Sequence, residues 1–183
     1  MVEEARFEEL QSGFAPASEG WFVVNARDAA WELNDAFGAA CFFEGDDTRF
    51  PQLGINLRVL PPGRSRWLYH AESNQEDILV LAGECLLLVE GEERPLKPWD
   101  FVHFPPNTGH AFVATGDEPC VIVMTGARSP EWPEEGTVYP RSELALRHGV
   151  GVETATSSPI EALAPFPKWH RGRPDDWNTL PWS

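Results

Sequence analysis

The sequence predicts an all-β protein, a sandwich or barrel of short strands with an extension at each end. Short apolar or alternating segments recur along the middle of the chain, among them 54–60, 78–81, 85–90 and 120–124. Glycines and prolines separate these segments, and such residues end strands and form turns. A jelly-roll barrel accommodates this number of strands, so we expect one β-rich core.

The predicted helices lie in the two extensions. Asn25 is a good N-cap for a helix over residues 27–37, and residues 3–10 favour a second short helix. Residues 142–148 and 159–163 favour two more near the C-terminus.

Three regions follow from these elements. Residues 1–50 form an N-terminal extension with short strands and a helix, residues 51–126 a barrel core, and residues 127–183 a C-terminal arm. The arm contains 8 of the 17 prolines and four of the eight tryptophans, Trp132, Trp169, Trp177 and Trp182. We expect it to pack these side chains on the barrel or on a neighbouring subunit.

The charge of the chain excludes several partners. Fourteen Lys and Arg residues stand against 29 Asp and Glu residues, a net charge of −15 over 183 residues. Phosphates would be repelled, so we expect neither nucleic acid nor an anionic membrane surface as a partner. No apolar run approaches 18 residues, and the acidic N-terminus lacks the core of a signal peptide. Cys41, Cys85 and Cys120 form no CxxC pair, which favours buried reduced thiols in a cytoplasmic protein.

Four potential metal ligands converge if the predicted strands form one barrel. His70 and Glu72 lie two apart on the predicted strand 66–72 and therefore share a face. Glu76 opens the next strand, close to that end of the first. His110 follows a run of turn-forming residues and begins a third strand.

The spacing around these residues is regular in two places. The first pattern is His70-x-Glu72, three residues, Glu76, six residues, Gly83. The second pattern runs from Trp99 to Ala114.

That second pattern reads Trp99, five residues, Pro105-x-Asn107, two residues, His110, three residues, Ala114. Together the two patterns resemble the two motifs of the cupin superfamily, over roughly the central third of the chain. The resemblance implies a double-stranded β-helix, the jelly-roll cupin barrel, and a metal site at the motif residues.

The chain departs from the family pattern at several positions. Glu72 stands where the second His of the first motif is usual, which turns a site of three His and one Glu into one of two His and two Glu. Gly63 lies one position too early for the first glycine. Trp99 and Asn107 replace glycines of the second motif, and Ala114 replaces its final Asn.

A divalent metal ion explains why two carboxylates would be buried together. Without a cation they would repel each other, whereas two Glu charges balance one divalent ion. Imidazole with carboxylate suits Zn, Fe, Mn or Ni. The alternative is a barrel without metal, in which His70, Glu72, Glu76 and His110 hydrogen-bond to one another.

Two further residues are candidates for contact with a substrate. Arg66 shares the inward face of His70 and would meet an anionic group, or it would form a salt bridge at the barrel mouth. Phe112 lies two residues after His110 and would line the pocket. His103, on an apolar strand, is predicted to be a core histidine rather than a ligand.

Two functions fit these features. The resemblance implies a metal-dependent enzyme acting on a small molecule, of the dioxygenase or isomerase type, with the ion as Lewis acid or redox centre. The alternative is a non-catalytic protein that binds a small ligand or serves as a sensor, because one fold hosts many functions.

The resemblance and the two extensions also predict a homodimer, because barrel edges need covering and the extensions would cross between subunits. Light scattering at micromolar concentration should then give about twice the chain mass of 20.5 kDa. A mass near that of a single chain would contradict the prediction.

Overall fold

Strands dominate the structure, a computed structural model that describes residues 1–64, 67–128, 136–174, 177, 178, 180 and 181. These residues form fourteen β-strands and two short α-helices. The strands are β1 Phe7–Leu10, β2 Gly13–Pro16, β3 Glu32–Asn34, β4 Gly38–Cys41, β5 Leu53–Leu60, β6 Ala71–Glu72, β7 Glu76–Ala82, β8 Cys85–Val89, β9 Glu92–Leu96, β10 Phe101–Phe104, β11 His110–Ala114, β12 Cys120–Ala127, β13 Thr137–Val138 and β14 His170–Arg171. The helices are α1 Glu143–Arg147 and α2 Pro159–Leu163.

Two antiparallel sheets form the barrel. The larger has seven strands in the order β10-β7-β12-β5-β4-β3-β14, and the smaller has three in the order β11-β8-β9. Side chains from both sheets fill one apolar core, since sandwiches and barrels bury the inner faces of their strands. Its buried members are Leu60, Ile78, Val80, Cys85, Leu87, Phe104, Phe112, Ala114, Cys120, Ile122 and Met124.

The central strand β12 is buried on both faces. Ile122 and Met124 point into the barrel core, whereas Val121 and Val123 belong to a second apolar cluster outside the large sheet. This alternation follows from the two-residue period of a strand. The extensions therefore cover a face that would otherwise expose apolar side chains.

The C-terminal arm packs on its own barrel. Trp177 meets the fully buried Trp31 edge to face, with ring centroids 5.5 Å apart. Trp169 stacks on Trp67 at 6.4 Å. The arm thus uses these two tryptophans as we predicted, while Trp132 and Trp182 lie outside the described residues.

The helices predicted in the arm are confirmed, whereas both helices predicted in the N-terminal extension are wrong. Residues 3–10 contain β1, and residues 27–37 contain turns and β3. Asn34 accepts hydrogen bonds from the N–H groups two and three residues later, which forms a turn instead of a helix. Burial of Trp31 beneath the arm also requires this shape, so tertiary packing overrides local helix propensity.

The three cysteines are buried free thiols, as predicted. Burial raises the pKa of the Cys41 thiol to about 12, so this thiol stays neutral near pH 7. Among the described residues, no helix has the length and apolarity needed to cross a bilayer.

Two isoleucines offer a test of the barrel core. Ile122→Ala removes a side chain that is 0% exposed, and we expect it to lower the free energy of unfolding by about 2–5 kcal/mol. Ile160→Ala, at a position that is 84% exposed, is the control and should change it by less than about 0.5 kcal/mol. Urea denaturation measures both, and equal losses would contradict the proposed core.

Candidate metal centre

His70 and His110 are brought together by their own backbones. The His70 N–H donates to the His110 carbonyl at 3.1 Å, and the His110 N–H donates to the His70 carbonyl at 2.8 Å. The two imidazoles lie on the same side of this bridge, with ring centroids 4.8 Å apart. Both side chains are 1% exposed. This isolated antiparallel bridge therefore brings the two imidazoles together.

Backbone carbonyls orient both imidazoles. His70 Nδ1 lies 2.8 Å from the Leu68 carbonyl oxygen, and His110 Nδ1 lies 3.0 Å from the Thr108 carbonyl oxygen. A carbonyl oxygen only accepts, so each Nδ1 carries the proton that it donates. In a neutral ring the nitrogen without a proton is then Nε2, which is the usual arrangement of a metal-binding histidine.

Glu76 completes a group of three. It opens β7, and its carboxylate Oε2 lies 3.2 Å from His110 Nε2. One ligand atom from each of His70, Glu76 and His110 fits within 4.8 Å of the others, and all three residues are buried. These residues are therefore close enough to hold one metal ion.

Glu72 lies beside this group. Its Oε1 is 3.5 Å from His70 Nε2, but Glu72 is not among the three residues whose ligand atoms meet within 4.8 Å. Its side chain is 29% exposed, far more than those of the other three. Glu72 therefore marks the side on which the group meets solvent.

The donor set fits a cation on physical grounds. His110 Nε2 is buried and makes no hydrogen bond, and the nearest carboxylate oxygen of Glu76 is an acceptor as well. Two acceptors at this distance repel each other unless a proton or a metal ion lies between them. Nitrogen and carboxylate oxygen are ligands that divalent transition ions accept.

Aromatic rings pack around His110. Phe104 stacks on its imidazole with centroids 4.0 Å apart and an angle of 11° between the planes. Phe112, the predicted pocket residue, meets His110 edge to face at 5.9 Å and is 0% exposed. Sequence reasoning missed Phe104, although Phe104 and His110 flank the same proline-containing turn. The contact of Phe112 with a substrate stays a prediction.

Tyr139 is a second residue that sequence reasoning missed. It comes from the C-terminal arm, is 2% exposed, and lies with its ring centroid 6.1 Å from that of His70. It follows His70 by 69 residues, and its segment shows no spacing that links it to the motifs. Arg66, the other predicted substrate contact, lies outside the described residues.

The family model for the cupin domain matches residues 56–126, which include all four candidate ligands. The match assigns residues 56–126 of the chain to the cupin superfamily. The all-β jelly-roll architecture predicted from the sequence is thereby confirmed. No curated protein matches the chain significantly.

Solved structures are similar to the same cupin region. A sugar phosphate isomerase from Silicibacter pomeroyi is 32% identical, over 50% of this chain and 60% of that chain, with a TM-score of 0.46. An RmlC-like cupin from Shewanella frigidimarina is 17% identical, over 59% of this chain and 91% of that chain, with a TM-score of 0.50. The polyketide cyclase RemF from Streptomyces resistomycificus is 17% identical, over 58% of this chain and 79% of that chain, with a TM-score of 0.51. The alignment thus spans less than two thirds of the isomerase.

The second cupin motif keeps two left-handed positions although their glycines are replaced, Trp99 in the turn before β10 and Asn107 in the turn before His110. Trp99 has φ 74° and Asn107 has φ 67°, both in the left-handed region that glycine adopts at no steric cost. The Asn107 N–H also donates to the Glu72 carbonyl at 2.6 Å. The turn therefore links the two motifs of the cupin domain.

The structure corrects our prediction for His103, which also lies in the cupin domain. We predicted a core histidine, but its side chain is 50% exposed and its Nδ1 lies 2.6 Å from Asp77 Oδ1. Partial burial opposes ionisation of Asp77, yet hydrogen bonds from His103 and Gln75 lower the pKa of that carboxyl below its ordinary value. The prediction fails because His103 shares a face of β10 with the exposed Phe101, whereas Val102 and Phe104 face the core.

An apolar cavity of about 440 Å³ lies near the cupin barrel, against the C-terminal arm. Aromatic and aliphatic side chains form most of its lining, including Phe37, Trp67, Leu163, Phe166 and Trp169. Trp67 connects it to the histidines, because its Nε1 donates to the Tyr139 hydroxyl at 3.2 Å.

Replacing Glu76 by glutamine tests the fit of this site to a cation. In metal-free protein, the amide of Glu76→Gln can donate to His110 Nε2, so we expect unfolding to become about 1 kcal/mol less favourable. The same change should abolish any stabilisation by Zn²⁺ or Mn²⁺, because a ligand charge is lost.

Urea denaturation in EDTA and in excess metal measures both effects. Asp77→Asn is the matched control, since it removes one charge at the next residue, which pairs with His103 instead. If Glu76→Gln is no more stable than the wild type in EDTA, then His110 Nε2 and the Glu76 carboxylate are not two acceptors that repel each other.

Proposed function

We propose that this cupin is a metal-dependent enzyme that acts on a small molecule, with His70, Glu76 and His110 as the ligands of one divalent ion. The observation that carries the proposal is the buried group of three ligand atoms within 4.8 Å, with each imidazole Nδ1 held by a backbone carbonyl. Glu72 is proposed as the fourth ligand, at the edge that faces solvent.

The bound ion, Zn, Fe, Mn or Ni, would supply Lewis-acid or redox chemistry. The chain's own residues divide the remaining tasks. His70, Glu76 and His110 fix the position of the ion, and Phe104 and Phe112 exclude water behind His110. Glu72 is half-buried and sits where a substrate would enter, so its carboxylate is placed to accept a proton.

The small-molecule part of the proposal rests on the site itself. The three ligands are buried and Glu72 beside them is 29% exposed, so a group that reaches the ion past Glu72 has to be compact, which favours a small molecule over a macromolecule. Two similar structures are named as a sugar phosphate isomerase and a polyketide cyclase, both of which act on small molecules. Their similarity supports the fold and does not select either reaction.

A non-catalytic binding or sensor protein is the second candidate, favoured by the closure of the site. His70, His110 and Glu76 side chains are only 1%, 1% and 6% exposed. Water relaxation in the Mn²⁺-loaded protein separates the two functions. Fast exchange of a bound water would favour the enzyme, whereas no exchangeable water would favour a closed binding site.

We also propose that the protein is a homodimer in the cytoplasm. Strand β10 lies at one end of the seven-stranded sheet, and Phe101 on this strand is 65% exposed. Trp99, just before it, is 75% exposed. An exposed edge strand with large apolar side chains supports association with a second copy.

Metal content is the direct test of the proposed centre. We expect about one equivalent of a divalent transition metal in protein purified without added metal, measured by elemental analysis. A double variant, His70→Ala with His110→Ala, is the control and should contain none. Less than about a tenth of an equivalent in the wild type, with no uptake of added metal, would overturn the proposal.

The role of Glu72 is tested by two substitutions. Glu72→Ala should weaken metal binding and leave the barrel folded, because the residue lies at the solvent edge. Glu72→His should keep the fold but shift metal preference away from the harder ions Mn and Fe, and lower the pKa of a metal-bound water, because one negative charge is removed.

Competition titrations with Mn, Fe, Ni and Zn on the wild type and both variants measure this preference. If all three proteins bind the four metals with the same order and strength, Glu72 is not a ligand.

A further inference from the structure

The C-terminal arm forms a strand pair with the segment that carries Glu72. In β13, Thr137 is paired with Glu72 and Val138 with Ala71. The Ser73 N–H donates to the Gly136 carbonyl at 2.9 Å. On the other side, the Glu72 carbonyl accepts the Asn107 N–H at 2.6 Å. The backbone of Glu72 is therefore held between the turn before His110 and the arm.

The next residue of the arm supports His70. Tyr139 lies against the His70 imidazole at 6.1 Å between ring centroids, with 30° between the planes. Its backbone is fixed by two hydrogen bonds with Thr156, at 2.8 and 3.1 Å. Its hydroxyl accepts the indole N–H of Trp67 at 3.2 Å. The ring is thus held in place from both the backbone and the hydroxyl end.

We propose that residues 136–139 of the arm are positioning residues of the metal site, fixing the Glu72 carboxylate through β13 and the His70 imidazole through Tyr139. The proposal rests on the metal centre proposed above. These residues lie outside the segment 56–126 that matches the family model, so the support is a property of this chain's own extension. Groups that orient metal ligands typically change metal affinity by about 10–100-fold when removed.

Gly136→Ala tests the strand pair. Gly136 has φ +85°, and a Cβ there would lie 2.1 Å from Ser73 Oγ and 2.4 Å from Ser73 Cβ. No rotation of the Ser73 side chain relieves the contact with its Cβ, so β13 must move away from β6. Gly149→Ala is the matched control in the same arm. Gly149 has φ +69°, but a Cβ there would meet no atom within 4 Å. Both variants carry the left-handed backbone penalty, and only Gly136→Ala adds the clash.

We expect Gly136→Ala to weaken Zn²⁺ binding about tenfold in a competition titration with a chromophoric chelator, and to alter the visible absorption of bound Co²⁺. Gly149→Ala should change neither. Circular dichroism and urea denaturation check that both variants remain folded under the conditions of the titration.

A double-mutant cycle shows whether the effect passes through Glu72. If β13 acts by placing the Glu72 carboxylate, Gly136→Ala should weaken Zn²⁺ binding much less in a Glu72→Ala background than in the wild type. If the two substitutions weaken Zn²⁺ binding by fully additive amounts, β13 does not act through the Glu72 carboxylate.

Tyr139 is tested by two side chains of different shape. Tyr139→Leu removes the ring that backs His70 and should weaken Zn²⁺ binding about tenfold and shift the Co²⁺ absorption. Tyr139→Phe keeps the ring and should restore most of the affinity. A purely structural role would lower stability in both variants without moving the Co²⁺ spectrum.

The outcomes separate this inference from the function on which it rests. Wild-type protein that binds metal, with unchanged affinity and Co²⁺ spectrum in Gly136→Ala and Tyr139→Leu, would overturn the inference and leave the metal centre intact. Wild-type protein that binds no metal would overturn both.

Discussion

The two backbone hydrogen bonds between His70 and His110 are the constraint on which the rest of the site depends. They join the first motif at His70 to the second motif at His110, so the two imidazoles must face the same space. Carbonyl acceptors then fix the tautomer of each ring, and the buried carboxylate of Glu76 is brought against His110. An arrangement of this kind is electrostatically costly without a cation, because it concentrates acceptors where water cannot solvate them.

The sequence contains enough information to locate most of this centre. Strand parity places His70 and Glu72 on one face, and turn residues place His110 at the start of a strand, because both rules are local. The structure brings His70, Glu76 and His110 together, while Glu72 stands at the edge. Whether a side chain at the rim of a site reaches its centre depends on angles of a few degrees, which residue spacing does not encode.

The features that could not be predicted depend on contacts between distant parts of the chain. A helix over residues 27–37 is locally reasonable, yet Trp31 is buried beneath Trp177 and the segment bends to allow it. Tyr139 reaches His70 only because β13 pairs with β6. Hydrophobic periodicity depends on residues close together along a strand or helix, so it cannot predict contacts with a partner many residues away.

The pairing of late strands with early ones also sets an order of assembly during synthesis. β14, at residues 170–171, closes the edge of the seven-stranded sheet against β3, which is made about 140 residues earlier, and β13 closes the flank of β6. While the chain is being translated, the barrel strands can meet first, but the apolar face around Trp31 stays uncovered until the segment with Trp177 has left the ribosome. The nascent protein therefore passes through a stage with an unprotected hydrophobic surface, the kind of stage at which chaperones act.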